Sequence, residues 1–419
     1  MSEATDAILI VGAGHAGCEM ATSLRQEGFD REIIMIGEEA YLPYQRPPLS
    51  KAFLSGSVSA EGLSIKPQAT YDKATIQCIT GRRVETIDRS RKSITMDDGT
   101  SLHYAKLVLA TGGQPRRLNL AGSEAAEYCK NFGYLRTIED AERIRRDLVA
   151  GKRIVIIGGG YIGLEIAAAA IQHHPDVTVL EGAPRVLARV TAPVISEFYE
   201  QVHRSAGVKL LTGTAVEQIE CDEATGLVTG VVCTDGVRLP ADMVVVGIGL
   251  IPNIELAEMA GLTVTNGIEV DAQNRTSDPD IFAIGDCANY PNPLLDQRVR
   301  IESVPNALEH ARIAAAAICG KHKTYTSMPW FWSDQYDLKL QMVGLSTGHD
   351  QVVLRGDLQK HSFVAFYLQR NRVIAADAVS RPQDFMFCKR MVTERLCVNP
   401  VELSDQTISL KTILAAPAA

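Results

Sequence analysis

Two glycine-rich turns, Gly12-Ala13-Gly14-His15-Ala16-Gly17 and Gly158-Gly159-Gly160-Tyr161-Ile162-Gly163, carry glycine at the same three positions of a GxGxxG pattern. In such a turn the first glycine allows a tight bend and the second lets backbone approach a pyrophosphate. The third lets the following helix pack closely on the strand. A helix N-terminus offers free N–H groups and a partial positive charge, so the chemistry on offer is diphosphate binding. An acidic residue closes the next apolar run in both cases: Glu38 after Glu32–Ile36, and Glu181 after Val177–Leu180. A carboxylate there accepts ribose hydroxyls and repels a 2′-phosphate, which points to NAD over NADP at the second turn. Arg185, just beyond Glu181, is the residue that would accommodate a 2′-phosphate, so NADP stays the alternative.

The elements needed to position these turns can be read around them. Residues 7–11 form an apolar run before the first turn, a helical stretch extends to about Glu27, and Gly28 ends it. The result is a strand–turn–helix–strand unit of about thirty residues. Arg153–Ile157, the second turn, an alanine-rich helix and Val177–Leu180 repeat that grammar. Leu107–Leu109 closes on Ala110-Thr111-Gly112-Gly113, and Met243–Val246 closes on Gly247-Ile248-Gly249 in the same way. Thr276–Asp286 reads as a strand ending in Gly285-Asp286. It resembles the second fingerprint of FAD proteins, in which the aspartate holds a ribityl hydroxyl. The outer fold is therefore expected to take FAD, and the inserted fold the nicotinamide nucleotide.

The fold class is α/β, with two nested Rossmann-like dinucleotide-binding domains and a C-terminal α+β domain. The expected boundaries are 1–113 and 248–323 for the FAD domain, 114–247 for the inserted NAD domain and 324–419 for the last. In that last domain Gln341–Val343, Gln351–Arg355, Phe363–Gln369 and Arg372–Ala376 are expected as strands, and Lys389–Arg395 as a helix.

Leu49-Ser50-Lys51 within Pro47–Leu54, Gly158–Glu165, Gly247–Asn253, Val299–Ala307 and Trp330–Gln335 resemble the putidaredoxin reductase family of oxygenase-coupled ferredoxin reductases. This family belongs to the FAD-dependent pyridine nucleotide reductases. The likeness spans nearly the whole chain, and the Ile301–Ala307 and Trp330–Gln335 segments are its most specific parts. It implies that Lys51 lies near the reactive edge of the flavin, that Glu165 pairs with this lysine or meets the nicotinamide carboxamide when NAD binds, and that Tyr161 occupies the nicotinamide pocket. It also implies that Gly12, Gly14, Ala16, Gly17, Glu38 and Asp286 hold FAD, with Ala110, Thr111 and Gly112. By the same likeness Arg46 and Pro47 would line the flavin, Val304 would back its pyrimidine end and Trp332 would cover the face from which electrons leave. Gly158, Gly160, Ile162, Gly163, Glu181 and Gly249 belong to the NAD site.

One departure separates the chain from the disulfide reductases of this fold, which carry a redox CxxxxC near the flavin. The corresponding stretch, Tyr41–Gly56, contains no cysteine. Cys18, in the first helix, reads as a small packing residue, and Cys129, Cys221 and Cys233 stand alone in the sequence. Electrons are then expected to leave directly from the flavin, singly, to a two-iron two-sulfur ferredoxin docked transiently through charge. A rubredoxin reductase, a reductase of a small organic radical, an NADH oxidase and a slow redox interaction flavoprotein like the apoptosis-inducing flavoproteins are the alternatives.

Composition limits the remaining classes. With 46% apolar and 22% charged residues, the 419-residue chain reads as an ordinary globular protein. No apolar run approaches the roughly 18–20 residues of a membrane span, and the start has no basic leader, so no membrane partner and a cytoplasmic location are expected. Nine scattered cysteines without a CxxC argue against a protein-held metal. The net charge of −8 argues against nucleic acid. An acidic ferredoxin would then need a local basic patch. Arg312 is the leading candidate, with Lys389 and Arg390 weaker ones, and isolated histidines such as His103 and His349 read as surface or packing residues.

Overall fold

A computed structural model describes residues 6–173 and 175–415. The chain divides into two units: residues 1–45, 63–114 and 251–329 form the first, and residues 46–62, 115–250 and 330–419 the second.

The first unit is built on five parallel strands in the order Ile281–Ala283, Lys106–Leu109, Ile8–Val11, Ile33–Gly37 and Ile76–Thr80. Ile8 lies beside both Ile33 and Lys106, so the first glycine turn leaves the central strand. These runs are rich in Ile, Leu and Val because both faces of a parallel sheet are covered. Ile8, Ile10 and Val108 pack against Met20, Ala21 and Leu24 of the helix His15–Gln26 and Ala311, Ala314 and Ala315 of the helix Val304–Ile318. Leu9, Val11, Leu107 and Leu109 point the other way, into a core shared with Ile94, Met96 and Tyr290.

The second unit repeats the plan with parallel strands Lys209–Thr212, Asp176–Glu181, Arg153–Ile157, Met243–Val246 and Phe132–Tyr134. Ile154 and Ile156 face one core, Val155 and Ile157 the other. Its C-terminal part is a five-stranded antiparallel sheet in the order Trp330–Gln335, Leu338–Gly344, Arg372–Val379, Ser362–Gln369 and Gln351–Asp357. Leu340, Phe363, Ala365 and Val379 of that sheet join the core formed by Ile166, Val179 and Tyr199 of the glycine-turn fold.

The helix expected over Lys389–Arg395 runs instead from Pro382 to Thr393, with proline in its first turn, where the missing N–H costs nothing. No helix among the described residues is long and apolar enough to cross a membrane.

Candidate functional site

The two glycine turns are built alike. Gly12 has φ +115°, and a Cβ there would lie 2.1 Å from the Ala110 carbonyl oxygen. Gly158 has φ +112°, and a Cβ there would lie 2.4 Å from that of Gly247. Side chains on Gly17 and Gly163 would meet the Gly12 and Gly158 oxygens at 2.0 Å. Internal packing thus accounts for the first and third glycines of each turn. Gly14 and Gly160 differ: a Cβ on either meets nothing within 4 Å, and both have extended backbone, with φ −91° and −81°. The fold does not require glycine there, but a ligand lying against the backbone would. Neither following helix, His15–Gln26 or Tyr161–Ala170, has a side-chain cap at its N-terminus. Each turn is therefore an open cradle for a diphosphate, and the residues present fit a bound dinucleotide.

Around the first cradle, buried Ala16 packs against Gly285 of the Gly-Asp turn, whose Cβ position would be 3.1 Å from that of Ala16. The Gly285 N–H donates to Nδ1 of buried His310 (3.2 Å), and the Asp286 carbonyl accepts from Arg300 (3.1 Å). Thr111 Oγ1 donates to the Asn253 carbonyl at 2.8 Å, and Asn253 Nδ2 returns a bond to the Thr111 carbonyl at 2.9 Å. The Asn253 N–H donates to the Gly112 carbonyl at 3.0 Å. Glu38 stands exposed, 3.6 Å from Arg83. Val304 opens the helix Val304–Ile318, which Ser303 caps by accepting from the Asn306 N–H.

At the second cradle Glu181 grips the turn. Its Oε2 accepts from the Gly159 N–H at 2.7 Å and its Oε1 from the Ala183 N–H at 2.8 Å. Arg185 is held elsewhere, donating to Ser196 Oγ (2.5 Å) and to the Ala188 carbonyl (2.9 Å). Ile162 leaves an apolar side chain 42% exposed on the first turn of the helix. Gly249, with φ +119°, accepts through its carbonyl from the Arg116 N–H at 2.9 Å.

The second unit brings Lys51, Tyr161 and Glu165 into one neighbourhood. Pro47 opens a short 3-10 turn, Pro47–Ser50, that ends on Lys51. Lys51 is thus at the exit of that turn. Its ammonium donates to Glu165 Oε2 at 2.7 Å and to the Pro47 carbonyl at 3.3 Å. Ser50 Oγ also donates to Glu165 Oε2 (2.5 Å), and Ser333 Oγ donates to Oε1 (2.6 Å). Glu165 is 1% exposed, and burial pushes its carboxyl up from the usual range, opposed by Lys51, Ser333 and Ser50. Burial also raises the Tyr161 phenol. The Tyr161 hydroxyl meets Met342 Sδ at 2.7 Å, and its ring lies 5.1 Å from that of Phe331. Arg46 Nη1 donates to the Arg136 carbonyl at 2.7 Å.

Strand alternation sorts the Trp330–Gln335 segment. Ser333 and Gln335 turn into the buried interior, while Trp330 and Trp332 stack 5.7 Å apart, and Lys389 sits 3.7 Å from the Trp330 ring. Lys389 is therefore not a plain solvated face, whereas Arg390 pairs with Glu394 on its own helix.

All nine cysteines are free thiols. Cys18 is buried against Tyr71, its sulfur 3.2 Å from the phenol oxygen. Cys221 is not alone: burial and a hydrogen bond with Cys129 push its thiol up to about 11. Sequence reasoning missed Ser50 and Ser333, although both lay inside segments that carried the family likeness. It also missed His203, His310 and Asn253, which no local pattern marked.

Residues 6–311 match the pyridine nucleotide-disulphide oxidoreductase family, and residues 330–414 the reductase C-terminal family. The chain belongs to the pyridine nucleotide-disulphide oxidoreductases and is an oxidoreductase; FAD and a nicotinamide nucleotide are the cofactors the family implies. It is 51% identical to putidaredoxin reductase CamA of Pseudomonas putida, over 99% of this chain and 98% of that one. A rubredoxin-NAD(+) reductase of Pseudomonas putida is 39% identical, over 90% of this chain and 96% of its own. The fold matches a crystal structure of the covalent putidaredoxin reductase–putidaredoxin complex with TM-score 0.94 and 51% identity, covering 99% of both chains.

Proposed function

We propose that this chain is an NADH-dependent, FAD-containing ferredoxin reductase whose acceptor is a two-iron two-sulfur ferredoxin serving an oxygenase. The observation that carries this reading is the buried Lys51–Glu165 pair, in a chain whose Tyr41–Gly56 stretch offers no cysteine for a thiol relay. Bound FAD would supply hydride acceptance from the nicotinamide and the release of electrons one at a time.

The chain's own residues supply binding and charge. In this reading residues 1–113 and 248–323 form the FAD domain, 114–247 the NAD domain and 324–419 the C-terminal domain. Gly14 and Ala16, at the N-terminus of the helix His15–Gln26, receive the FAD diphosphate on its positive dipole end. Glu38 takes the adenosine ribose and Asp286 a ribityl hydroxyl. Gly160, Tyr161 and Ile162 open the second cradle to the nicotinamide dinucleotide. Glu181 favours NADH, because a carboxylate already accepting two N–H groups repels a 2′-phosphate, while Arg185 is engaged by Ser196 and Ala188. Lys51 sets its side-chain nitrogen beside Glu165. The flavin roles of Arg46, Pro47, Lys51, Val304 and Trp332 rest on the family likeness of their segments. We place the protein in the cytoplasm.

The test is reconstituted turnover. NADH-driven cytochrome c reduction should be fast only when a two-iron two-sulfur ferredoxin is added. Brisk oxygen consumption without a partner would replace this reading with an oxidase. Equal turnover with a rubredoxin would favour the activity carried in the name of the 39% relative.

A further inference from the structure

The hydrogen bonds on Glu165 do not stop at Ser333. Gln335 Nε2 donates to Ser333 Oγ at 3.2 Å, and Gln335 Oε1 lies 2.9 Å from His203 Nε2. His203 Nδ1 lies 3.0 Å from the Tyr336 hydroxyl. Ser333, Gln335 and His203 are each 0% exposed, and all of these groups belong to the second unit.

The direction of the whole chain follows from its inner end. An ionised Glu165 can only accept, so the Ser333 hydroxyl must donate to it, and Ser333 Oγ is left as an acceptor. Gln335 must then turn its amide N–H to Ser333 and its carbonyl to His203. That carbonyl requires a proton on His203 Nε2. Nδ1 of a neutral imidazole is consequently the acceptor, and the Tyr336 hydroxyl donates to it. Neutrality is what burial enforces, since it holds the His203 pKa down to about 4. Every dipole from Tyr336 inward thus points its hydrogen toward Glu165, and aligned hydrogen bonds strengthen one another. The amide of Gln335 cannot pass a proton along, so the row supplies fixed polarity and not a proton path.

We propose that His203 and Gln335 are positioning residues: through Ser333 they hold Glu165 ionised and turn its Oε2 toward Lys51. The proposal deepens the reading of Glu165 as part of the electron-transfer site and rests on it. The groups bearing on Glu165 are Lys51 and Ser50 from the Pro47 turn, Ser333 from the C-terminal sheet and Tyr161 on its own helix. Tyr199 faces it from the helix Pro193–Ser205, and His203 on the same helix reaches it only through Gln335 and Ser333.

The test follows Glu165 directly in the oxidised holoenzyme without NADH. The protonated-carboxyl band is titrated by infrared difference spectroscopy and assigned by its loss in Glu165→Gln. In Gln335→Met the midpoint should move up by about 0.5 unit, roughly a threefold gain in proton affinity. The acid limb of the pH profile for flavin reduction by NADH should move with it. A merely structural role would lower thermal stability and leave the midpoint in place, and an unmoved midpoint in folded Gln335→Met overturns the proposal. Should that variant not fold, Tyr336→Phe, altered at the half-buried outer end, decides by the same rule. The two readings fail separately. A shifted infrared midpoint with no NADH-dependent flavin reduction in the wild type would sink the proposed function and leave the role of the row in Glu165 ionisation standing.

Discussion

The Lys51 ammonium lies 2.7 Å from Glu165 Oε2, with 16% of the lysine side chain and 1% of the glutamate exposed. Removing one member of a buried pair strands the other, at about 3–5 kcal/mol, although a carboxyl can escape part of that by taking up a proton. Lys51→Met should therefore destabilise the protein strongly and slow flavin reduction by NADH. Lys51→Met combined with Glu165→Gln should recover much of the lost stability but not the rate. Urea unfolding of the two singles and the double measures the coupling, and strictly additive losses would mean that the pair does not act as one.

Asp377 gives the protein an unusual pH dependence. It lies opposite Met342 in the C-terminal sheet, is 4% exposed and accepts from the Tyr367 hydroxyl at 2.5 Å. Burial pushes its carboxyl up from 3.8 to about 7, with the Tyr367 bond opposing. The folded state therefore keeps a proton that the unfolded chain has released between those two values. Stability from this group is fully present below pH 3.8 and is lost as pH rises to about 7, the reverse of ordinary acid denaturation. The loss is on the order of 4 kcal/mol. Asp377→Asn should flatten this slope, so urea midpoints at pH 5 and pH 8 should differ less in the variant than in the wild type. An equal difference in both would remove Asp377 as the cause.

What the sequence made legible was local. Gly12 to Gly17 and Gly158 to Gly163 are short, and a strand before and a helix after are enough to place them. Glu181 follows from the same few residues. The partners of Glu165 are a different case: Ser50 and Ser333 stand 115 and 168 residues away, and Tyr161 reaches Met342 across 181. Strand alternation turns Ser333 and Gln335 inward, but only the folded sheet shows that the interior they face contains Glu165 and His203. The start of the helix Pro382–Thr393 is hidden in the sequence because its first turn holds Gln383 and Asp384, which carry no apolar period, and Pro382 reads as a breaker before it reads as a helix start.

Coenzyme preference should rest on Glu181. NADH should exceed NADPH in kcat/KM by at least about tenfold, or about 1.4 kcal/mol. Glu181→Ala also frees the Gly159 and Ala183 N–H groups, so both coenzymes should suffer, NADH the more. Equal efficiencies in the wild type would overturn the assignment, and steady-state kinetics with each coenzyme decides it.

No thiol should be needed for turnover. Cys18 is a packing residue whose sulfur meets the Tyr71 hydroxyl, and burial raises its thiol above the ordinary value, which keeps it unreactive at neutral pH. Cys18→Ser should retain FAD and NADH-ferricyanide activity, and alkylation of exposed thiols should leave that activity largely intact. A Cys18→Ser enzyme that reduced flavin normally yet failed to pass electrons onward would contradict direct electron exit.

Docking of the proposed acidic ferredoxin should depend on local charge, because a chain with net charge −8 repels it as a whole. Arg312 is 56% exposed, but its guanidinium is already 2.6 Å from Glu19, so it presents less positive field than a free arginine would. The structure therefore adds a second variant to the obvious one. Glu19→Gln should free that charge and speed ferredoxin reduction at low salt. Arg312→Glu should slow it severalfold by setting two carboxylates side by side. Steering of this kind fades as the Debye length falls from roughly 10 Å at 0.1 M salt to roughly 3 Å at 1 M. Wild type and both variants should then converge at high salt, while reduction of ferricyanide, which needs no protein docking, should differ little among them. Stopped-flow rates of ferredoxin reduction across a salt series make the measurement, and low-salt kinetics unchanged in Arg312→Glu would remove this residue from the docking surface.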